Sequence, residues 1–335
     1  MSWLSSQIWI ELCRSNGVVT DAYLHAIGDS LGRVGHRVEY TYSAEECPGT
    51  KSDIYVVAVA PSAAKLLSKG KKNVVFWAQG VWPEESLERH GSSIRFAACS
   101  FVEKRALTGA KRVFVVSSAQ QRHYEGKYSI DLSKKTFVMP CSNEPFHREA
   151  FFTEGKYDRP VFLYAGSLAK YQCIDLMLDA FAQAQQALPE ARLLFYTSEQ
   201  EEAKRLVETR GLHNVVVGYK TQAELPAAIA AAKYGFVIRD DSVVNRVSTP
   251  TKISTYIANG IIPIYSPSLL SFSETAKGLT RVSYERNTFI DKLLSVESRS
   301  IDPNEVLSQY EDYYRRELSY ESKGQSLDAF LREGL

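Results

Sequence analysis

The sequence has no cysteine framework. Its five cysteines, Cys13, Cys47, Cys99, Cys141 and Cys173, are odd in number, far apart and never spaced as C-x-x-C. That spacing argues against a disulfide scaffold and a structural zinc site, and it suits a reducing compartment. H-E-x-x-H, G-x-S-x-G, G-x-G-x-x-G and the P-loop pattern are all missing. So is a D-x-D pair, since Asp240 and Asp241 are adjacent. The six histidines (His25, His36, His90, His123, His147 and His213) show no ligand spacing, so no metal is expected. Only His90, beside a Pro83-Glu84-Glu85 stretch that reads as a loop, is kept as a site candidate. No apolar run approaches the ~20 residues that span a bilayer. The opening MSWLSSQIWIELC lacks a basic segment followed by a long apolar core, so it does not read as a signal peptide. A cytoplasmic protein is expected.

What is present is the composition of an ordinary globular chain, 44% hydrophobic and 24% charged, over 335 residues. That length exceeds one typical core and fits two. Net charge is only +1, but residues 61–140 carry 14 Lys/Arg against 6 Asp/Glu, a local +8 that leaves −7 for the rest. Such a patch attracts an anionic lipid surface or an acidic substrate, and Trp77, Trp82, Phe96 and Phe101 are interleaved with it. The same count also fits scattered, solvated charges. A protein peripheral on the inner face of the plasma membrane is therefore one expectation, and nucleic acid is not an expected partner.

Strand and helix patterns alternate twice. Ile8–Leu12, Val38–Tyr42, Ile54–Val59, Val74–Gln79, Val113–Ser117 and Thr136–Met139 read as strands, with helices over 21–32, 62–69, 93–109 and 118–127. Their continuous apolar runs suit a buried parallel sheet. Arg14-Ser-Asn-Gly17 reads as the turn after the first strand. The stretch 141–159 is polar and aperiodic and reads as a connection. The alternation then restarts with strands Val161–Ala165, Arg192–Thr197, Val215–Gly218, Gly235–Ile238 and Ile261–Ile264. Helices are expected over 173–187, 199–210 and 222–232, and again over 286–294 and 303–334. The predicted class is α/β, with two doubly wound domains facing across a cleft: residues 1–150, residues 151–302, and a helical segment 303–335 packing back toward the first. Ligands of such sheets sit at strand carboxyl ends near a switch in strand order, and a cleft is the default site.

Ser248–Tyr265 has the strongest local grammar. Thr249 suits an N-cap, Pro250 the first helical position and Gly260 the left-handed terminator, enclosing about ten helical residues. A helix N-terminus beside Thr251 and Lys252 suits a phosphate. Two other strand-end loops share this character, Gly166-Ser167 to Gln172 with Lys170, and Arg239 directly after a strand. Together they can hold a diphosphate. Gly17 would let backbone approach the same ligand from the first domain.

Four stretches carry a resemblance. They are W-A-Q-G-V-W-P-E-E-S, F-V-V-S-S, Y-A-G-S-L-A-K-Y-Q and R-D-D-S-V-V-N-R-V-S-T-P-T-K-I-S-T-Y-I-A-N-G-I-I-P-I, in that order over some 190 residues. The chain resembles the retaining glycosyltransferases of the GT-B fold, of the group 1 or family 4 type, in the branch that builds bacterial surface polysaccharides. The resemblance implies two Rossmann-like domains and a hexosyltransferase-type enzyme. It would move a sugar, with retention and without metal, from a nucleotide-diphosphate donor to a hydroxyl of a lipid-linked or saccharide acceptor. The nucleotide sugar would be a co-substrate, with no other cofactor. Lys170 and Arg239 would be catalytic, neutralising the diphosphate. Gly17, Gly166, Ser167, Gln172, Thr249, Pro250, Thr251 and Lys252 would surround the donor, with Thr255 and Asn245 toward the ribose and Tyr219 and Lys220 flanking the base. Gln79, Glu84, Glu85 and His90 would lie on the acceptor side. Two features depart from the pattern: the glutamate pair is absent, with Thr255 where the family has a ribose-binding glutamate and Val247 eight residues earlier, and the family's histidine after the third or fourth strand is not evident, with Gln79 near that place. A non-catalytic partner or regulatory subunit of the same fold, and a nucleotide-sugar epimerase, are the alternative readings.

Overall fold

The computed structural model describes residues 7–12, 17–44, 46–142 and 144–334; for 17–20, 22 and 334 only the backbone is described. Of the turn expected at Arg14–Gly17, residues 14–16 lie outside the described residues, as does Cys13, and Gly17 opens the first helix. The chain divides into two compact units. One runs to Cys141 and adds residues 246–249 and the chain from Ser319 onward; the other holds residues 142–245 and 250–318.

The first unit contains β1 (Gln7–Glu11), α1 (Gly17–Arg33), β2 (Arg37–Thr41), β3 (Ile54–Val57), α2 (Ala60–Ser68) and β4 (Asn73–Ala78). It continues with α3 (Trp82–His90), α4 (Ser93–Gly109), β5 (Arg112–Val115), α5 (Ser118–Tyr128) and β6 (Thr136–Val138). All neighbours pair in parallel in the order β2-β1-β3-β4-β5-β6. Every residue of β3 is buried, which is why its sequence is an unbroken apolar run.

The second unit contains β7 (Val161–Ala165), α6 (Ile174–Ala187), β8 (Arg192–Tyr196), α7 (Gln200–Thr209), β9 (Val215–Gly218), α8 (Leu225–Ile229) and β10 (Tyr234–Val237). After it come α9 (Val243–Val247), α10 (Thr251–Ala258), β11 (Ile262–Tyr265), α11 (Leu270–Thr275), β12 (Val282–Ser283), α12 (Phe289–Glu297) and α13 (Pro303–Tyr313). Its parallel strands run β12-β11-β10-β7-β8-β9. The order reverses between β7 and β10, which therefore flank this sheet's switch point. The fold is α/β with two Rossmann-like units.

Three expectations change. The Pro83-Glu84-Glu85 stretch is not a loop but the first turn of α3, with Pro83 at its start, two acids near the positive end of its dipole and Gly91 left-handed at its close. The connection over 141–159 is not free of structure: Arg148–Phe152 forms a 3-10 turn, and Phe151, Lys156 and Tyr157 are buried in the second unit. The interleaved aromatics do not share a surface. Trp77 is fully buried and meets Tyr23 edge-on at 4.8 Å, Trp82 and Phe96 are half-buried, and only Phe101 is exposed.

The last helix, α14 (Gly324–Gly334), lies against α1 within the first unit. Asp328 accepts from Ser30 and pairs with Arg33 at 2.9 Å, while Leu327 and Leu331 are buried. Tyr320 donates to the Pro140 carbonyl at 2.5 Å.

Helix α10 is seated by one close approach. The Tyr256 ring lies over Gly235 of β10, where an added Cβ would stand 2.5 Å from the ring, and the Tyr256 hydroxyl donates to the Phe236 carbonyl at 3.2 Å. Gly235→Ala must push α10 off its strand, and overpacking of this kind costs about 1–3 kcal/mol. A lower denaturant midpoint is expected. Gly32→Ala on α1, where a Cβ meets nothing within 4 Å, should be neutral or stabilising. Equal midpoints for the two variants would contradict this packing.

Candidate functional site

The carboxyl ends of β7 and β10 place the residues of interest side by side. After β7 comes Gly166, at φ 152°, a backbone that strongly favours glycine. Glycine is also needed for space, because a Cβ there would stand 2.7 Å from Lys252 Nζ. Lys252, in the first turn of α10, is therefore laid against the bare backbone of the β7 loop. Its Nζ donates to Gln172 Oε1 at 2.8 Å and lies 4.7 Å from the centre of the Tyr164 ring. Gln172 is buried and ends a 3-10 turn, Lys170–Gln172. Arg239 follows β10 and is 6% exposed. Its Nη1 donates to the carbonyls of Gln172 at 3.3 Å and Ile238 at 3.1 Å, and its guanidinium lies 5.8 Å from the Tyr171 ring. Its backbone N–H donates to Ser266 Oγ at 2.8 Å.

Among the described residues, no carboxylate is among the groups that shift either cation most. Burial holds Arg239 below the ordinary guanidinium range. Burial first, and then the Arg239 charge, push Lys252 down to about 7. Asp240, next in sequence, accepts instead from the Asn245 amide and takes its backbone N–H to Cys173 Sγ at 3.3 Å. The site is thus a buried guanidinium beside a half-buried amine at a strand-order switch, next to the opening turn of a helix. It suits an anion with several oxygens.

The structure brings together Gly166, Gln172, Arg239 and Lys252. Lys170 begins the same 3-10 turn with its side chain exposed, and Ser167 is exposed beside Gly166. Thr255 is half-buried, its hydroxyl donating back to the Thr251 carbonyl at 3.3 Å. Thr249 does not cap α10. Its hydroxyl accepts from the Cys141 N–H at 3.0 Å, and Pro250, extended and without a capping side chain, is the N-cap. The helix has eight residues, and Gly260, at φ 66°, follows its C-cap Asn259. Tyr219 is exposed just past β9, and Lys220 lies 6.0 Å from the Tyr196 ring. Sequence reasoning passed over Tyr164, near the end of β7, and Tyr171, exposed in the 3-10 turn, whose rings lie beside Lys252 and Arg239; an aromatic near a strand end is core by default.

In the first unit, Gly17 opens α1 and Gln79 follows β4 half-buried. Glu84 is committed to α5, taking His123 Nε2 at 2.9 Å and Lys127 Nζ at 2.8 Å. Burial acts to raise its pKa, but these hydrogen bonds outweigh it and hold it low. Glu85 is raised by burial, and Glu103 of α4, almost fully buried, is pushed up to about 7. His90 is exposed in the last turn of α3. Among the described residues, no group of three or more His, Cys, Asp or Glu side chains could hold a metal ion.

No protein-family model matches the chain, and no curated protein matches it. Solved structures do. Anabaena HepE in complex with UDP-glucose superposes with a TM-score of 0.67 at 12% identity, covering 98% of this chain and 99% of that one. WaaG, a glycosyltransferase involved in lipopolysaccharide biosynthesis, gives 0.60 at 14% identity over 97% and 99%. A mutant of S. aureus TarM, in complex with UDP among other ligands, gives 0.57 at 12% identity over 83% of this chain, which spans only 56% of that protein. The shared property is the two-domain α/β fold of GT-B glycosyltransferases.

The buried amines leave a mark on stability. Lys156, whose Nζ donates to the carbonyls of Ala230 and Asn259, is also pushed down to about 7 by burial. Above that pH the unfolded chain holds protons that these two folded lysines have shed, so stability rises with pH. The rise runs from about pH 7 to about 8.5, where thiols raised by burial at Cys47, Cys141 and Cys173 begin to oppose it. Chemical denaturation across this window should show increasing stability, and Lys252→Met should flatten the slope. An unchanged slope would mean that Lys252 is not held near neutrality.

Proposed function

We propose that the chain transfers a sugar from a nucleoside-diphosphate donor to a hydroxyl of a lipid-linked or saccharide acceptor, without a metal and with retention at the anomeric carbon. The observation that carries this reading is the uncompensated pair Arg239 and Lys252 at the β7/β10 switch point. A leaving diphosphate gathers negative charge as the glycosidic bond breaks, and fixed cations in a dry site stabilise that charge more in the transition state than in the ground state. The opening N–H groups of α10 add donors. Lys252, near neutrality when the site is empty, would take up a proton as the diphosphate arrives. The fold likeness to HepE, bound to UDP-glucose, and to WaaG, of lipopolysaccharide biosynthesis, supports the donor class and an acceptor on the surface-polysaccharide route. Thr255 and Tyr219-Lys220 are the proposed ribose and base neighbours, and Gln79, Glu85 and His90 the acceptor-side ones. A binding-only relative is the second reading, favoured by Thr255 and Val247 standing where the resemblance implies carboxylates.

The test is transfer and hydrolysis by the purified protein against a panel of nucleotide sugars in EDTA. Arg239→Ala and Lys252→Ala should each lower kcat/KM by about 10²-fold, roughly 2.7 kcal/mol. Lys170→Ala should cost less, since its exposed charge is screened. Activity restored only by manganese or magnesium, or normal kinetics in both buried-site variants, would overturn the diphosphate assignment. Binding without turnover of any donor would favour the second reading.

A further inference from the structure

Helix α4 shows an outward face that the donor site does not use. The helix has 17 residues and is roughly 25 Å long. Its inner side is fixed: Cys99, Glu103, Ala106 and Leu107 are buried. Glu103 accepts from the Trp82 N–H at 3.1 Å and from the Tyr128 hydroxyl at 2.7 Å, and Lys127 Nζ lies 4.8 Å from the Phe96 ring. The outer side carries the two most exposed large apolar side chains among the described residues, Ile94 at 84% and Phe101 at 72%. They are two turns apart on one stripe, with Ala97 and Ala98 exposed between them. Leu87, on the adjoining α3, is 38% exposed.

The exposed charges of α4 itself have one sign, although Glu88 and Arg89 of the adjoining α3 are exposed beside Leu87. Arg95, Lys104 and Arg105 are exposed, while the one acid of α4, Glu103, is buried. A second copy docked by the same face would set these cations against their own kind, because a two-fold contact is self-complementary. An anionic lipid surface suits both features. Isolated apolar side chains enter the headgroup boundary, and the basic ring meets the phosphates. We propose that the outward face of α4, presenting Ile94 and Phe101 within Arg95, Lys104 and Arg105, docks on an anionic phospholipid surface. The anchored inner side makes the platform rigid, so docking needs no refolding of α4. Its position in the first unit would bring the enzyme to acceptors dissolved in that surface. The docking itself does not depend on the donor reading, because its test contains no sugar and no nucleotide.

Co-sedimentation with vesicles of phosphatidylcholine, alone or with 30% phosphatidylglycerol as the added probe, measures it. The full chain should bind the anionic vesicles, and binding should weaken from 0.1 to 0.5 M salt, where screening shortens to a few ångströms. Replacing Arg95, Lys104 and Arg105 by Gln should lower partitioning by about 100-fold, at about fivefold per charge. Ile94→Ser with Phe101→Ser should remove the binding that survives at high salt. Both variants should melt as the parent does, since every changed side chain is exposed. Equal binding to neutral and anionic vesicles, or unaltered binding in both variants, would overturn the proposal. So would a concentration-dependent dimer, dissolved by the serine variant, in a chain that ignores vesicles.

Discussion

A buried guanidinium beside a half-buried amine, with neutral partners on both, is expensive, and the carboxyl ends of β7 and β10 carry that cost. The effective penalty for burying one ion is several kcal/mol. What Arg239 and Lys252 receive in return is neutral: two carbonyls, one amide oxygen and the faces of Tyr164 and Tyr171. Hydrogen bonds to charged groups contribute about 1.5–3 kcal/mol each, and a ring face about 0.5–2. The offset is partial, and Lys252, pushed down to about 7, registers the remainder. An anion placed there would restore the missing charge, which is why the cost reads as function rather than as architecture.

The first unit handles charge in the opposite way. Glu84, Glu103, Lys127 and His123 form one connected group, so each ion meets an opposite charge or a donor. The group ties α3, α4 and α5 together beneath the end of β4, where the Gly80 carbonyl also takes the Gln120 amide and the Tyr124 hydroxyl. A carboxylate held by a lysine and a histidine ring has little attraction left for a ligand, so Glu84 is first of all a structural residue. Compensated charge marks the scaffold here, and cations with only neutral partners mark the candidate site.

The strands were legible because central parallel strands are buried on both faces, which leaves continuous apolar runs such as N-V-V-F-W-A in β4. The same run shows why Trp77 was misread: within a central strand an aromatic points into the core whatever the charge of the surrounding sequence. Helix α3 was missed because its nine residues carry little apolar periodicity, although Pro83, the two acids and Gly91 spelled out both ends. The candidate anion site was legible only in pieces. Gly166, Arg239 and Lys252 could each be placed after a strand or at a helix start. That β10 lies beside β7, rather than beside β9, is a property of strand order that a linear pattern does not carry.

The departure at Thr255 takes on a physical meaning in this setting. Lys252 and Thr255 are three residues apart on α10, so their side chains are neighbours on one helix face. A glutamate at 255 would be an acid beside a cation, and it would draw Lys252 back toward full protonation. Threonine instead donates its hydroxyl to the Thr251 carbonyl and leaves Lys252 uncompensated. The opening turns of α10 therefore hold one cation and no acid. If the proposed donor binds there, such an end would discriminate a diphosphate by charge and would lack the two-oxygen grip on a ribose that a carboxylate provides. On the proposed function, recognition would lean on the phosphates rather than on the sugar of the nucleoside, and Arg239, buried just after β10, would supply the second charge.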